Sequence, residues 1–288
     1  MRPTLKILIG PPGCGKSTYA RNKHNALIIN SDKIRFELFG DESCQEDNNK
    51  VFELMRSRAH QALLEGKNVI LDATNMTRKD RAAAISCRTK ECSVQAIVIF
   101  NSIDKCIAND LERDRTVGAD VIMKMLKRFQ FPYFDEGFDE IKIVGSCDNS
   151  IFDVHELAKN YVMSGTDISQ DNPHHSFTIR EHCDRAFKYA IEHEMSPFVR
   201  MAAEIHDCGK PETKVFEDSK GNKTDIAHYY GHMGVSAWKA IKCTSDPFVL
   251  WLISNHMEPF FNSKYYNNLS PWMKKELDNL HEADLAAK

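Results

Sequence analysis

The chain carries almost no net charge: 38 Lys and Arg stand against 41 Asp and Glu, leaving −3 over 288 residues. That balance excludes a general polyanion binder, so any nucleic-acid contact must come from a local cluster of Lys and Arg. Paired C-x-x-C spacing is missing, although there are nine cysteines. A zinc ribbon and a disulfide framework are therefore excluded, and the pattern reads as reduced thiols in a cytoplasmic protein. No apolar run approaches membrane-spanning length, and a core strand starts almost at once. Neither a membrane span nor a signal peptide is expected. Internal repeats and low-complexity tracts are absent as well. What remains is ordinary globular composition, 42% hydrophobic and 27% charged, at a length comfortable for two domains.

The most informative stretch is GPPGCGKST, Gly10 to Thr18, directly behind the apolar run Leu5-Lys6-Ile7-Leu8-Ile9. It fits G-x-x-x-x-G-K-[ST] at Gly10, Gly15, Lys16 and Ser17. Glycines let backbone N–H groups turn inward around a triphosphate. Lys16 offers a compact charge to the β/γ oxygens, and Ser17 a hydroxyl to Mg²⁺. The helix expected from Ser17 onward adds a favourable dipole.

Apolar runs alternate with helical patterns through the first half. Strands are expected at Thr4–Ile9, Ala26–Ile29, Asn68–Leu71, Val94–Phe100 and Ile141–Val144. Helices are expected near 33–39, 48–65, 79–90, 103–112 and 119–129. That alternation predicts an α/β domain, a parallel sheet flanked by helices, with function at the carboxyl ends of the strands. The rule selects Asp32 and Asp72. Asp72 is either a carboxylate for Mg²⁺ or a neighbouring arginine, or a helix cap. Asp32 is either a cap or a base for an acceptor hydroxyl. Arg113 and Arg115 belong either to a solvated mixed-charge face or to a lid that neutralises a transferring phosphoryl group. The helical spacing of Val121, Ile122, Met125, Leu126 and Phe129 reads as core or lid packing.

Residues 5–132 resemble the phage-type polynucleotide 5′-hydroxyl kinases and their P-loop kinase relatives. The resemblance is carried by GPPGCGKS, by Asn30-Ser31-Asp32-Lys33-Ile34-Arg35, by Asp72-Ala73-Thr74-Asn75 and by Arg113/Arg115 with Val117-Gly118-Ala119-Asp120-Val121-Ile122. It implies that the loop Gly10, Gly13, Cys14, Gly15, Lys16, Ser17, Thr18, together with Asp72, binds ATP and Mg²⁺. Asp32 would then accept the proton of a 5′-hydroxyl and Arg35 would hold the acceptor's adjacent phosphate. Arg113 or Arg115 would meet the transition-state oxygens. The family often has Arg-Asn where this chain has Asn109-Asp110, and proline where it has Gly118.

Beyond about Asp148 the alternation stops. Polar turn-rich segments flank a short helical piece, 153–162, and place the boundary near 150–172. The rest reads as entirely helical: 178–194, 197–207, 232–244, 246–256 and 271–285. The expected organisation is 1–150, a junction 151–171, and an all-α domain 172–288. His206-Asp207 ends an apolar helix ahead of Cys208-Gly209-Lys210; His182 lies one helix earlier, His232 and His256 later, and Asp284 on the last helix. Imidazoles and carboxylates from separate helices can converge to hold divalent metal, and six ligands suffice for two ions that bridge a water and lower its pKa.

This half resembles the HD-domain metallophosphohydrolases through His182, His206-Asp207 and Asp284. It is most similar to the HD domain of bacterial CCA-adding tRNA nucleotidyltransferases, through Asn172-Pro173-His174-His175, Ala203 to Pro211 and His228-Tyr229-Tyr230-Gly231-His232. The resemblance implies a phosphomonoesterase or cyclic phosphodiesterase using Mn²⁺, Ni²⁺, Co²⁺, Fe²⁺ or Zn²⁺. It gives His232 and His256 to a second metal and Lys210 to the scissile phosphate, and leaves His174, His175 and His228 without a role. The expectation is a bifunctional enzyme that heals nucleic-acid ends, RNA rather than DNA. Two alternatives remain open: a nucleoside or nucleotide kinase joined to a nucleotide phosphohydrolase, and an ATP-driven switch whose HD half senses a nucleotide.

Overall fold

Five short runs rich in Ile, Val and Leu pair as one parallel sheet in the computed structural model, which describes residues 2–23, 25–145, 159–173 and 176–288. The strands are β1 (Thr4–Ile9), β2 (Leu27–Asn30), β3 (Val69–Asp72), β4 (Ser93–Ile99) and β5 (Glu140–Val144), in spatial order β2-β3-β1-β4-β5. Helices α1 (Lys16–Arg21), α2 (Ser31–Phe39), α3 (Asn48–Leu64), α4 (Arg78–Ile85), α5 (Ile103–Leu111) and α6 (Ala119–Lys127) alternate with them. β1 and β3 are buried along nearly their whole length, as strands covered on both faces must be. This is the α/β architecture expected from the sequence. The second strand starts one residue later than expected, and that shift brings Asn30 into register beside Asp72.

By its internal packing the chain divides into two compact units: Met1–Ile122 with Pro132–Gly145, and Met123–Phe131 with Ser146–Lys288. The second is largely helical: α7 (Ile179–Glu192), α8 (Pro197–Ile205), α9 (His232–Ala240), α10 (Pro247–Asn255), α11 (Glu258–Phe261), α12 (Lys264–Asn267) and α13 (Pro271–Ala286). Helix starts are well specified. Thr178 and Glu181 close a capping box on α7, and Ser196, Asp246 and Ser270 cap helices that open on proline.

An antiparallel hairpin, β6 (Lys214–Glu217) and β7 (Lys223–Tyr229), interrupts the helices where the sequence reading expected helix and turn alone. Its turn, Asp218 to Asn222 with Gly221 at φ +84°, is a legible hairpin signal in retrospect. The segment Met123–Phe131 packs within the second unit. A Cβ on Gly234 would overlap the Leu126 carbonyl oxygen, Phe129 meets Trp238 edge-on at 5.2 Å, and the Phe131 N–H donates to Ser254 Oγ at 3.0 Å.

The expected helix 153–162 and junction 151–171 fall partly, and His174 and His175 wholly, outside the described residues. No helix among the described residues is long and apolar enough to cross a membrane, and the described cysteines are free thiols.

Candidate functional site

β1 delivers the chain into the glycine-rich loop at the carboxyl edge of the sheet. Gly13 (φ +74°) and Gly15 (φ +106°) adopt left-handed backbone that disfavours a side chain. At Gly13 a Cβ would also overlap the Cys106 carbonyl oxygen of α5. Lys16 Nζ donates to the carbonyls of Gly10 (2.9 Å) and Pro11 (2.8 Å). Ser17 donates its hydroxyl to Asp72 Oδ2 at 2.9 Å, which pairs the hydroxyl and carboxylate that a magnesium ion takes beside a triphosphate.

Asn30 had no role in the sequence reading, yet it joins two of the residues selected there. Its Nδ2 donates to Asp72 Oδ2 at 2.8 Å, while its Oδ1 accepts the backbone N–H groups of Asp32 and Lys33 and so caps α2. An asparagine before Ser-Asp-Lys is an N-cap signature, so the signal was present. Asp32 Oδ1 accepts from Arg35 Nη1 at 2.7 Å, and Arg35 Nη2 donates to Asn48 Oδ1. The Arg35 Nε is buried without a hydrogen-bond partner.

Arg113 and Arg115 have partners close by. Arg113 pairs with Asp110 at 3.2 Å, and Arg115 donates to the Glu42 carbonyl at 2.6 Å. The Asn109-Asp110 pair serves the loop itself. Asn109 Nδ2 donates to the Gly13 carbonyl at 2.7 Å, and buried Asp110 Oδ2 accepts the N–H groups of Val117 and Gly118.

In the second unit three of the four clustered histidines stand at helix ends, while His182 lies within α7. His206 and His256 follow the last residues of α8 and α10, where the helix dipole favours a cation, and His232 opens α9. Gly209 permits the close approach, because a Cβ there would overlap Ser236 N on α9. Ligand atoms of His182, His206, Asp207 and Asp284 lie within 4.8 Å of one another, as do those of Asp207, His232 and His256. Asp207 divides its oxygens: Oδ2 lies 3.4 Å from His182 Nε2 and 3.4 Å from His206 Nε2, whereas Oδ1 lies 3.3 Å from His232 Nε2.

All four rings place Nδ1 against a backbone carbonyl: His182 on Ala287, His206 on Ala203, His232 on Tyr229 and His256 on Ile253. A carbonyl only accepts, so each Nδ1 carries the hydrogen and each Nε2 is left as the ligating atom. Burial drives His256 down to about 3, with His232 and His206 adding to the effect, and burial also lowers His232. Their Nε2 atoms, 3.0 Å apart, are thus two neutral acceptors facing each other, and Asp207 Oδ1 is buried with no hydrogen-bond partner. A divalent cation satisfies all three, so the residues fit a metal ion.

In the other half, burial opposes charge on His206, but the Asp207 carboxylate outweighs it and holds that imidazole well above its usual range. Against the same burial, Lys210 and His206 hold Asp207 well below the usual carboxylate range, and His182 and His206 do so for Asp284. Lys210 Nζ rests on Asp207 Oδ2 at 2.7 Å. His228, on β7, stacks on Tyr230 just past the strand's end, with ring centroids 5.4 Å apart.

Residues 5–132 match the family described as AAA domain. The transcription factor bHLH140 of Arabidopsis thaliana is 30% identical over 159 residues, which is 50% of this chain and 16% of that protein. A chain of the Pnkp1/Rnl/Hen1 RNA repair complex is 24% identical over 48% of this chain and 46% of its own length, with a TM-score of 0.41. A gluconokinase from Sinorhizobium meliloti 1021 is 15% identical over 50% of this chain and 82% of its own, with a TM-score of 0.36. The chain thus spans a small part of its curated relative and less than half of the repair-complex chain.

Proposed function

We propose that this chain is a bifunctional end-healing enzyme, an ATP-dependent polynucleotide 5′-hydroxyl kinase joined to a metal-dependent 2′, 3′ or 2′,3′-cyclic phosphatase acting on RNA. One observation supports the reading: one unit carries the phosphate-loop motif with the Asp32–Arg35 pair, and the other gathers histidines and carboxylates into a cage that could hold metal.

In the kinase, Lys16 would exchange the Gly10 and Pro11 carbonyls for the β/γ oxygens of ATP, and Ser17 and Asp72 would hold Mg²⁺. Asp32 takes the proton of the acceptor 5′-hydroxyl as that oxygen bonds to the γ-phosphorus and ADP departs. Arg35, which donates to Asp32 at 2.7 Å, would hold the acceptor's adjacent phosphate. Arg113 or Arg115 closes over the phosphoryl oxygens. Such transfer needs positioning and charge more than covalent chemistry.

In the hydrolase, His182, His206, Asp207 and Asp284 would hold one divalent ion, and Asp207, His232 and His256 a second. A metal bound there supplies Lewis-acid polarisation of phosphate oxygens and acidifies water. Lys210 offers its ammonium to the phosphate that is removed. Cleavage of RNA to a 2′,3′-cyclic phosphate and a 5′-hydroxyl creates both substrates at once, which gives one chain reason to carry both activities.

The balanced net charge of −3 favours a second reading, a kinase and phosphohydrolase of free nucleosides and nucleotides. End-group analysis after incubation with RNA bearing 5′-hydroxyl and 2′,3′-cyclic phosphate ends decides between them, run with ATP and with Mg²⁺, Mn²⁺ or Ni²⁺ beside nucleoside controls. Both RNA ends should change; modification of nucleosides alone sinks the polynucleotide reading.

A further inference from the structure

Lys210 brings an ammonium into the second unit with only 5% of the residue exposed. An ammonium has three N–H donors. One meets Asp207 Oδ2 at 2.7 Å and another meets Gln170 Oε1 at 2.7 Å, while the face of Tyr229 closes a further side at 5.3 Å from Nζ. Gln170 is itself locked in place. Its Nε2 donates to the Phe177 carbonyl at 3.3 Å, and its own backbone carbonyl accepts the Tyr229 hydroxyl at 2.6 Å. The flanking chain is tied to the hairpin: the Ala227 N–H donates to the Asp171 carbonyl, Asn172 donates to the Ala227 carbonyl, and Lys214 donates to the Ser169 carbonyl.

We propose that Gln170 is a positioning residue for phosphate recognition, holding the Lys210 ammonium beside the histidine cage so that it meets an anionic phosphoryl oxygen. The inference rests on the hydrolase reading above. A divalent ion held by Asp207 would compete for the carboxylate that Lys210 leans against and would repel the ammonium. The lysine stem is long and flexible, and without a second partner it would swing away. A carboxamide oxygen is suited to the task because it accepts from the ammonium without neutralising it. A carboxylate at the same place would hold the lysine and quench it.

The test uses the full chain loaded with Mn²⁺ and titrated calorimetrically with inorganic phosphate, with metal content and melting temperature measured in parallel. Gln170→Ala and Lys210→Ala should each weaken phosphate binding about tenfold, the range of one charge-assisted hydrogen bond. The double variant should bind no more weakly than Lys210→Ala alone, with metal content unchanged. Additive losses, or full phosphate affinity in Gln170→Ala, overturn the proposal, and so does loss of manganese from that variant. Gln170→Glu preserves shape and an acceptor, so it carries the test should Gln170→Ala fail to fold. It should weaken phosphate binding at least as much, and retained affinity would make Gln170 mere scaffolding. A wild-type protein that takes up manganese but binds no phosphate removes the hydrolase reading and this inference together. Normal wild-type binding with unaffected variants removes only the inference.

Discussion

The Nε2 atoms of His232 and His256 face each other at 3.0 Å while both Nδ1–H groups are committed to backbone carbonyls. Neither nitrogen has a hydrogen to give the other. The contact is repulsive unless a cation enters, and buried Asp207 Oδ1 stands beside it without a hydrogen-bond partner. Metal should therefore stabilise the second unit markedly. At a hundredfold excess over the dissociation constant the gain is about 2.7 kcal/mol per ion. Calorimetric melting with and without Mn²⁺ measures it, and His256→Ala should lose one of two bound ions by elemental analysis. An unchanged metal count in His256→Ala would remove the second site.

Asp207 is shared by both histidine pairs, so its loss should empty both. Asp207→Ala should abolish phosphate release, because both ions lose a ligand, while kinase turnover remains near normal. Joint loss of both activities would argue against separable sites.

Metal uptake should release a proton. Asp207 holds His206 above its usual range, and that ring must become neutral to ligate. The raised pKa means that His206 is protonated as pH falls through its folded value, and metal affinity is lost in that direction. Below that value the logarithm of affinity should fall by about one per pH unit for one displaced proton. Titrations in two buffers of different ionisation enthalpy count the proton, and a pH-independent affinity between 5 and 8 (roughly the span over which histidine titrates) would contradict the assignment.

In the first unit, Lys16→Ala and Asp32→Ala should each abolish 5′-phosphorylation with circular dichroism unchanged. Removing a general base costs roughly a hundred- to ten-thousandfold. Full activity in Asp32→Ala would remove the proposed base. Asn30→Ala should cost about 1 kcal/mol through the lost α2 cap and lower kinase turnover as well, because the same side chain anchors Asp72.

Arg81 and Glu136 form a buried pair with two hydrogen bonds, Nε to Oε2 at 2.7 Å and Nη2 to Oε1 at 2.6 Å. Glu136→Ala removes the counter-charge of a buried guanidinium, which keeps the Asn75 and Met76 carbonyls, and should destabilise the first unit by about 3–5 kcal/mol. Chemical denaturation of that unit measures the loss, and a change below 1 kcal/mol (roughly the value of an exposed pair) would contradict the burial argument.

The phosphate loop was legible residue by residue, because its glycines and its Lys-Ser pair act through local backbone geometry. The sheet was legible because strands buried on both faces must be apolar throughout. The contact of Asn30 with Asp72 is not legible in the sequence because it lies in register: only the pairing of β2 with β3 sets the two side by side. Gln170 was hidden for the same kind of reason, since Lys210 lies forty residues away in the chain. The hairpin at Lys214–Tyr229 lies between the expected helices 197–207 and 232–244, and its turn is the signal that marks it.

What the amino-acid order by itself determined is the inventory: a nucleotide loop behind a buried strand, acidic residues at strand ends, and histidines and aspartates on separate helices. These follow from steric and hydrophobic rules that act over a few residues at a time. Only the tertiary structure decided which Asp207 oxygen faces which histidine pair, that four rings commit Nδ1 to backbone and leave Nε2 for a cation, and that Gln170 holds Lys210. Those relationships depend on distances between helix ends far apart in the chain, and those distances are set by packing.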